Sequence, residues 1–248
     1  MYNIYIHYNM EEKQIIQPII QNFVNDKSNY SGDPVISLIQ SNTHYTGHYL
    51  KYIDKFNELI KTDDKLNKIY KLIISNQSNN VNNVNNVNNV NTRLMLILAG
   101  IKMFDENTPV YRNSSQIYNH ELYWKSITNM KDSTKQLGLC KNKLFSSNEE
   151  FDNFYKKFVD LGVKEFGSGW LWICLKTDTK TNTTKLDVFT THDSKVPFDD
   201  SNTKILGIID LWEHAFYLDY PANKKKYLEE SFKILNWKYL LSSSSCYK

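Results

Sequence analysis

Between Tyr45 and Ile60 the apolar and aromatic residues recur every three or four positions, as Tyr45, Tyr49, Tyr52, Phe56, Leu59 and Ile60. That period places them on one stripe and predicts a helix over residues 44–62, with a second helical stretch over 65–75 that continues or pairs with it. Residues 93–103 and 114–127 repeat the pattern. Ser147 followed by Glu150 is a capping-box pair that opens a further helix running to about Gly162. After Gly167 the period becomes two: Trp170–Leu175 and Leu186–Thr191 alternate like strands around the polar turn DTKTNTT. Ile205–Ile209 is a short apolar run suited to a buried strand, and helix returns over 222–240. The polar, glycine-containing stretch 130–146 reads as a domain connection. Residues 11–25, with isoleucines around Pro18, read as a short packed segment that turns. The expected architecture is α+β: a helical, hairpin-like N-terminal domain (1–136), then a C-terminal domain (137–248) with a small three-stranded antiparallel sheet and helices.

One segment fits neither period. VNNVNNVNNVN repeats every three residues and is built from a poor helix former, so an insertion at about 79–91, in an exposed connection and without chemistry, is expected. A chain of 248 residues with 41% hydrophobic positions can bury a sizeable core. Its net charge of +3 comes from basic residues interleaved with acids, which argues against a nucleic-acid partner. The run Lys224–Lys226 reads as a solvated face. No stretch approaches a membrane span, and the N-terminus resembles neither a secretory signal nor a transit peptide. Cys140, Cys174 and Cys246 are widely spaced and odd in number, so free thiols in a reducing compartment are expected. That suits an intracellular protein, cytoplasmic or in a mitochondrion or other organelle.

Histidine and aspartate change the picture. His44 and His48 lie four apart and share a helix face. His120 lies on the predicted 114–127 helix beside Tyr118, Tyr123 and Trp124. Asp210 leaves the end of the apolar run 205–209, and His214 follows four residues later. A buried, unpaired carboxylate is costly, and a bound cation would remove that cost. His44, His120, Asp210 and His214 together offer three nitrogens and one oxygen, a donor set that suits iron, manganese or zinc. The absence of thiolates argues against a structural zinc cluster.

Longer motifs surround these residues. Asp210-Leu-Trp-Glu-His-Ala-Phe-Tyr-Leu-Asp-Tyr220 resembles the D-x-W-E-H-A-x-Y-x-x-Y signature of iron/manganese superoxide dismutases. Phe166-Gly-Ser-Gly-Trp-Leu-Trp172 is similar to that family's F-G-S-G-W-x-W, and Asn236-Trp237 to its late N-W pair. Gln116 to Trp124 resembles the second-ligand helix, and His44 to Tyr52 the first. All five tryptophans fall inside these matches. The resemblance is strong over about 112–240, moderate over 44–60, and absent in 1–40 and 76–92.

The resemblance implies a superoxide dismutase that disproportionates superoxide to dioxygen and hydrogen peroxide. Its metal, iron with manganese as the alternative, would be held by His44, His120, Asp210 and His214. Tyr52 and His48 match the pair at the substrate entrance, and Gln116 the residue that hydrogen-bonds the metal-bound solvent. Tyr123, Trp170 and Trp172 would line the pocket. A glutamine on the helix, with His192 filling the place where the manganese form carries its glutamine, implies the iron form. Glu213 and Tyr217 match residues that reach the partner subunit of a homodimer. Tyr49, Gly47, Phe216 and Lys224 depart from the family pattern, which bears on steering and the interface rather than on the metal. Two rival readings are a non-haem iron oxygenase, which more often uses two histidines and a carboxylate, and a non-catalytic interaction protein that keeps the fold.

Overall fold

The structure, a computed structural model, describes residues 35–78 and 90–242. The expected segment 11–25, and all of the asparagine tract except its last two residues, lie outside the described residues. Two compact units are present: residues 50–114, and residues 35–49 together with 115–242.

The first unit is helical. Its helices are α2 (Leu50–Thr62), α3 (Asp64–Ser78) and α4 (Val90–Met103), with the start of α5 (Pro109–Ser126). Ile53, Phe56 and Ile60 on α2 are fully buried, as are Leu66 on α3 and Leu96 and Ile97 on α4. These are the stripes expected of amphipathic helices. Thr108 Oγ1 accepts from the Tyr111 N–H at 3.2 Å, and Pro109 opens the first turn of α5, where its missing N–H costs nothing.

The second unit holds α1 (Leu38–His44), a π-helical turn (Tyr45–Tyr49) and the rest of α5. The remainder is α6 (Met130–Leu144), α7 (Asn148–Lys164), β1 (Gly169–Asp178), β2 (Thr183–His192), β3 (Thr203–Asp210), a 3-10 turn (Glu213–Ala215), α8 (Lys224–Phe232) and α9 (Trp237–Leu240). The sheet is antiparallel throughout, in the order β2-β1-β3, with Gly169 opposite His192 and Trp170 opposite Asp210. The α+β expectation therefore holds, with the helical N-terminal region and the three-stranded sheet both present. No helix among the described residues is long and apolar enough to cross a membrane.

The capping signal at Ser147 is realised. Ser147 Oγ accepts from the Glu150 N–H at 3.1 Å, and Glu150 accepts from the Ser146 N–H and hydroxyl. The Lys224–Lys226 run lies at the start of α8, where Lys225 and Lys226 face Glu229 and Glu230 one turn on, as a solvated face does.

Three expectations need correction. Residues 130–146 are not a connection but mostly α6, capped by Asn129, whose side chain accepts from the Asp132 N–H at 2.8 Å. Its inward stripe is narrow: Ser133 and Cys140 are buried and Leu137 is half-buried, so a polar and a small residue occupy positions where apolar ones would have revealed the period. The helix expected over 222–240 is two helices. The chain between them turns to bridge Leu235 to Ile127, and Asn236 Oδ1 recaps α9 through the Tyr239 N–H at 3.2 Å. The helix expected over 44–62 starts earlier, at Leu38, and passes through the π-helical turn.

The end of α5 is fastened to β3 at one tight point. Ser126 Oγ donates to the Leu122 carbonyl at 2.7 Å and accepts from the Ile208 N–H at 3.0 Å. A Cβ on Gly207 would collide with a Leu240 methyl and come within 2.7 Å of Ser126 Oγ. Gly207→Ala is therefore expected to destabilise the protein by about 1–3 kcal/mol, the range for overpacking a filled core. Chemical denaturation should show a lower midpoint at unchanged slope, and an unshifted midpoint would mean that Leu240 moves aside freely.

Candidate metal centre

Four side chains that the sequence singled out meet inside the second unit. His44 closes α1, His120 projects from the middle of α5, Asp210 ends β3, and His214 lies in the 3-10 turn just beyond. One donor atom from each lies within 4.8 Å of every other. His44, His120 and Asp210 are buried, and His214 is nearly so at 11% exposure. The three imidazole Nε2 atoms converge on a single oxygen, Asp210 Oδ2, at 3.1 Å from His44, 3.5 Å from His214 and 3.8 Å from His120.

The hydrogen bonds around these groups fix their orientation. His120 Nδ1 lies 2.7 Å from the Gln116 carbonyl, which can only accept, so Nδ1 carries the proton and Nε2 presents a lone pair. Burial holds the His120 imidazole well below its ordinary pKa and lowers that of His44, so both rings are neutral near pH 7. Asp210 Oδ1 accepts from the Trp212 N–H at 2.8 Å, and the Asp210 backbone carbonyl accepts from the Tyr227 hydroxyl at 2.9 Å. Those bonds turn Oδ2 toward the imidazoles. Burial opposes ionisation of Asp210, but the His214 and His44 rings beside it outweigh burial and hold the carboxyl well below the usual carboxylate range.

A carboxylate oxygen therefore faces the lone pair of a neutral imidazole. His44 Nε2, His214 Nε2 and Asp210 Oδ2 are buried and form no well-aligned hydrogen bond with any described residue. Uncompensated, such an arrangement is costly. A cation about 2 Å from each donor needs donor separations of about 3 to 4 Å, and the three imidazole nitrogens lie 3.1 to 3.8 Å from Asp210 Oδ2. The residues fit a mononuclear metal ion.

Aromatic rings enclose the cluster. Trp124 lies 4.8 Å and Tyr123 5.3 Å from His44 between ring centroids, Trp170 5.2 Å from His120, and Trp212 5.5 Å from His214. Burial pushes the Tyr123 hydroxyl pKa up, so the phenol keeps its proton. Half-buried His48 stacks on His214 with centroids 3.8 Å apart and planes 14° from parallel. The wide π-helical turn brings residues four apart closer to eclipsed, so His44 and His48 both reach His214. Gln116 is buried on α5 one turn before His120, and its Oε1 meets no hydrogen-bond donor among the described residues. Trp172 is buried, donates to Thr191 Oγ1 at 2.8 Å and stacks on Phe189. Tyr52 is half-buried on α2, and Glu213 and Tyr217 are exposed.

His192 is not a pocket residue in this chain. Thr191 turns inward to Trp172, so the alternation of β2 sends His192 to the opposite side, where it is 60% exposed with Nδ1 2.9 Å from Glu165 Oε1. Lys224, in a position where the family carries arginine, donates to the Glu165 carbonyl at 2.7 Å, a contact that needs one donor and no planar fork. Three neighbours of the cluster escaped the sequence reading as site residues. Trp212 and Tyr227 support Asp210, and Gln40 on α1 reaches the His214 backbone. Trp212 left a trace, as the tryptophan of the Asp210–Tyr220 match, whereas nothing in the sequence ties Gln40 or Tyr227 to the cluster.

Scaffold and donors define the class: an α+β protein with a buried cluster of three imidazoles and one carboxylate that could hold a single metal ion. Residues 136–242 match the model of the C-terminal domain of iron/manganese superoxide dismutases. Similar proteins include the superoxide dismutase [Fe] of Plasmodium falciparum, 28% identical over 83% of this chain and 86% of that protein. The superoxide dismutase [Fe] of Entamoeba histolytica is 28% identical over 84% of this chain and 90% of its own. That of Helicobacter pylori is 26% identical over 86% and 82%. The chain is thus similar to iron/manganese superoxide dismutases in its C-terminal part and to iron superoxide dismutases over most of its length.

The pair formed by exposed His192 with Glu165 gives a pH signature of its own. Its hydrogen bond to Glu165 raises the His192 pKa above 6.5. Burial opposes ionisation of Glu165, but bonds from Thr190 and His192 outweigh it and lower that pKa below 4.5. The pair's stabilisation is therefore complete between those two ordinary values, 4.5 and 6.5. It is lost as pH rises through the folded His192 pKa, or falls through the folded Glu165 pKa. Unfolding midpoints of wild type and His192→Gln should differ slightly at pH 6 and coincide at pH 9. An equal gap at both values would show that the ion pair contributes nothing.

Proposed function

We propose that this protein is a superoxide dismutase that converts superoxide to dioxygen and hydrogen peroxide at an iron ion held by His44, His120, Asp210 and His214. The observation that carries the reading is the convergence of three Nε2 atoms on Asp210 Oδ2 in a buried, aromatic-walled site. Held by those four residues, iron would supply the one-electron redox chemistry that the disproportionation of superoxide needs.

The chain's own residues do the rest. Asp210 contributes one negative charge against the cation, and the bonds that fix each donor govern how strongly it binds. Trp124, Trp170, Trp212 and Tyr123 exclude bulk water, which strengthens electrostatic interactions within the site. His48, half-buried and stacked on His214, can pass protons between solvent and the site for the peroxide product. Tyr52 takes an entrance role on its match to the family pattern alone. The Gln116 carboxamide would donate to a solvent molecule beside the metal, and its origin on the ligand helix favours iron over manganese. Exposed Glu213 and Tyr217 flank His214 in sequence and are assigned to the partner subunit of a homodimer.

His120→Ala and Asp210→Ala should each abolish stoichiometric iron and dismutase activity together, and a variant that keeps full metal content would remove that residue from the ligand set. Apo-protein reconstituted with iron should be the more active form and should be inactivated by hydrogen peroxide. Higher, peroxide-resistant activity with manganese would reassign the metal while leaving the reaction unchanged.

The dimer is tested separately. Wild type should sediment as a dimer at micromolar concentration, and Glu213→Ala should weaken both association and iron retention. A fully active wild-type monomer refutes the interface.

A further inference from the structure

The strongest unassigned feature of the site is a side chain that touches no metal donor atom. Gln40 lies on α1 one turn before His44, is 1% exposed, and uses both ends of its carboxamide. Its Nε2 donates to the His214 backbone carbonyl at 2.7 Å, and its Oε1 accepts from the Leu218 N–H at 3.0 Å. His214 and Leu218 are four residues apart, so in a continuing α-helix this carbonyl and this N–H would bond to each other. Here the chain leaves the 3-10 turn at Phe216, and the Gln40 amide inserts between the two groups, satisfying both. The assignment of its ends is unambiguous, because a carbonyl only accepts and an N–H only donates.

We propose that Gln40 is a positioning residue for the metal centre: it sets the backbone from which His214 projects and ties that backbone to the helix that carries His44. This rests on the metal-binding reading above. Two further contacts hold the same two segments together, and a third caps α1 between them. Asp219 Oδ2 accepts from the Ser37 N–H at 2.6 Å, Ser37 Oγ caps the Gln40 N–H at 3.0 Å, and the Tyr220 hydroxyl donates to the Val35 carbonyl. Those three lie at the α1 entry and at residues 219–220. Of these four contacts, the Gln40 amide is the one that reaches the backbone of His214 itself.

The test compares wild type with Gln40→Met, which keeps length and loses both bonds, and Gln40→Glu, which keeps the acceptor for Leu218 but loses the donor to His214. Three quantities are read: the rate of iron loss to a competing chelator, the ferric electron paramagnetic resonance spectrum, and unfolding midpoints of the apo- and iron-loaded forms. Both variants should lose iron about ten-fold faster, the lower end of what outer-shell partners of metal ligands contribute. Their ferric spectra should change, and the iron-loaded midpoint should fall further than the apo midpoint. If the methionine variant does not fold, the glutamate variant decides on the same readings. Wild-type iron-loss rates and spectra in the variants, with equal falls in both midpoints, would make Gln40 merely structural and overturn the proposal. A wild-type chain that takes up no iron would instead overturn the parent reading, and this one with it.

Discussion

The structure is organised around the conflict at Asp210, where one buried carboxylate oxygen, Oδ2, faces three imidazole nitrogens and forms no well-aligned hydrogen bond with any described residue. Each donor comes from a different element: the end of α1, the middle of α5, the end of β3 and the turn after it. None of these elements can shift alone without opening the cluster. The surrounding contacts hold them in place: Tyr227 and Trp212 on Asp210, the Gln116 carbonyl on His120, and Gln40 on the His214 backbone. The aromatic wall lowers the local dielectric, which makes the conflict larger without a cation and its resolution larger with one.

Much of this was legible in the sequence because the chemistry-bearing residues sit within long motifs. His44, His120, Asp210 and His214 were named from helical spacing, a carboxylate at a strand end and the words around them, and the structure brings all four together. The hairpin was equally plain, since β1 and β2 alternate on either side of a polar turn. Other features were hidden for physical reasons. α6 buries a serine and a cysteine, so a window that scores apolar side chains finds no period there. His192 follows the inward-facing Thr191 at the end of β2, and a motif match does not say which face a strand residue takes. Gln40 could not be read as a site residue, because its partners are backbone groups whose exposure depends on the chain leaving the 3-10 turn after His214.

The π-helical turn belongs with the functional architecture. Wider turns cost hydrogen-bond geometry and persist where a site needs the altered phase. Here the altered phase lets two histidines four apart meet the same ring, with centroids 4.9 Å and 3.8 Å from that of His214. Such a feature leaves no mark in a hydrophobicity profile, since the apolar stripe on either side is unbroken.

The β1–β2 hairpin is a beam anchored at one end. The first six residues of β1 are buried, whereas the last four alternate between half-buried and exposed and the facing start of β2 is exposed. The tip, residues 179–182, is shaped locally by Asp178, whose Oδ1 accepts from the Lys180 N–H at 2.7 Å, and by Asn182 in a left-handed conformation. Trp170, which packs against His120, lies at the root. The free end is therefore a natural handle, where a fluorophore, an affinity peptide or a surface linker could be grafted while the distant centre keeps its geometry.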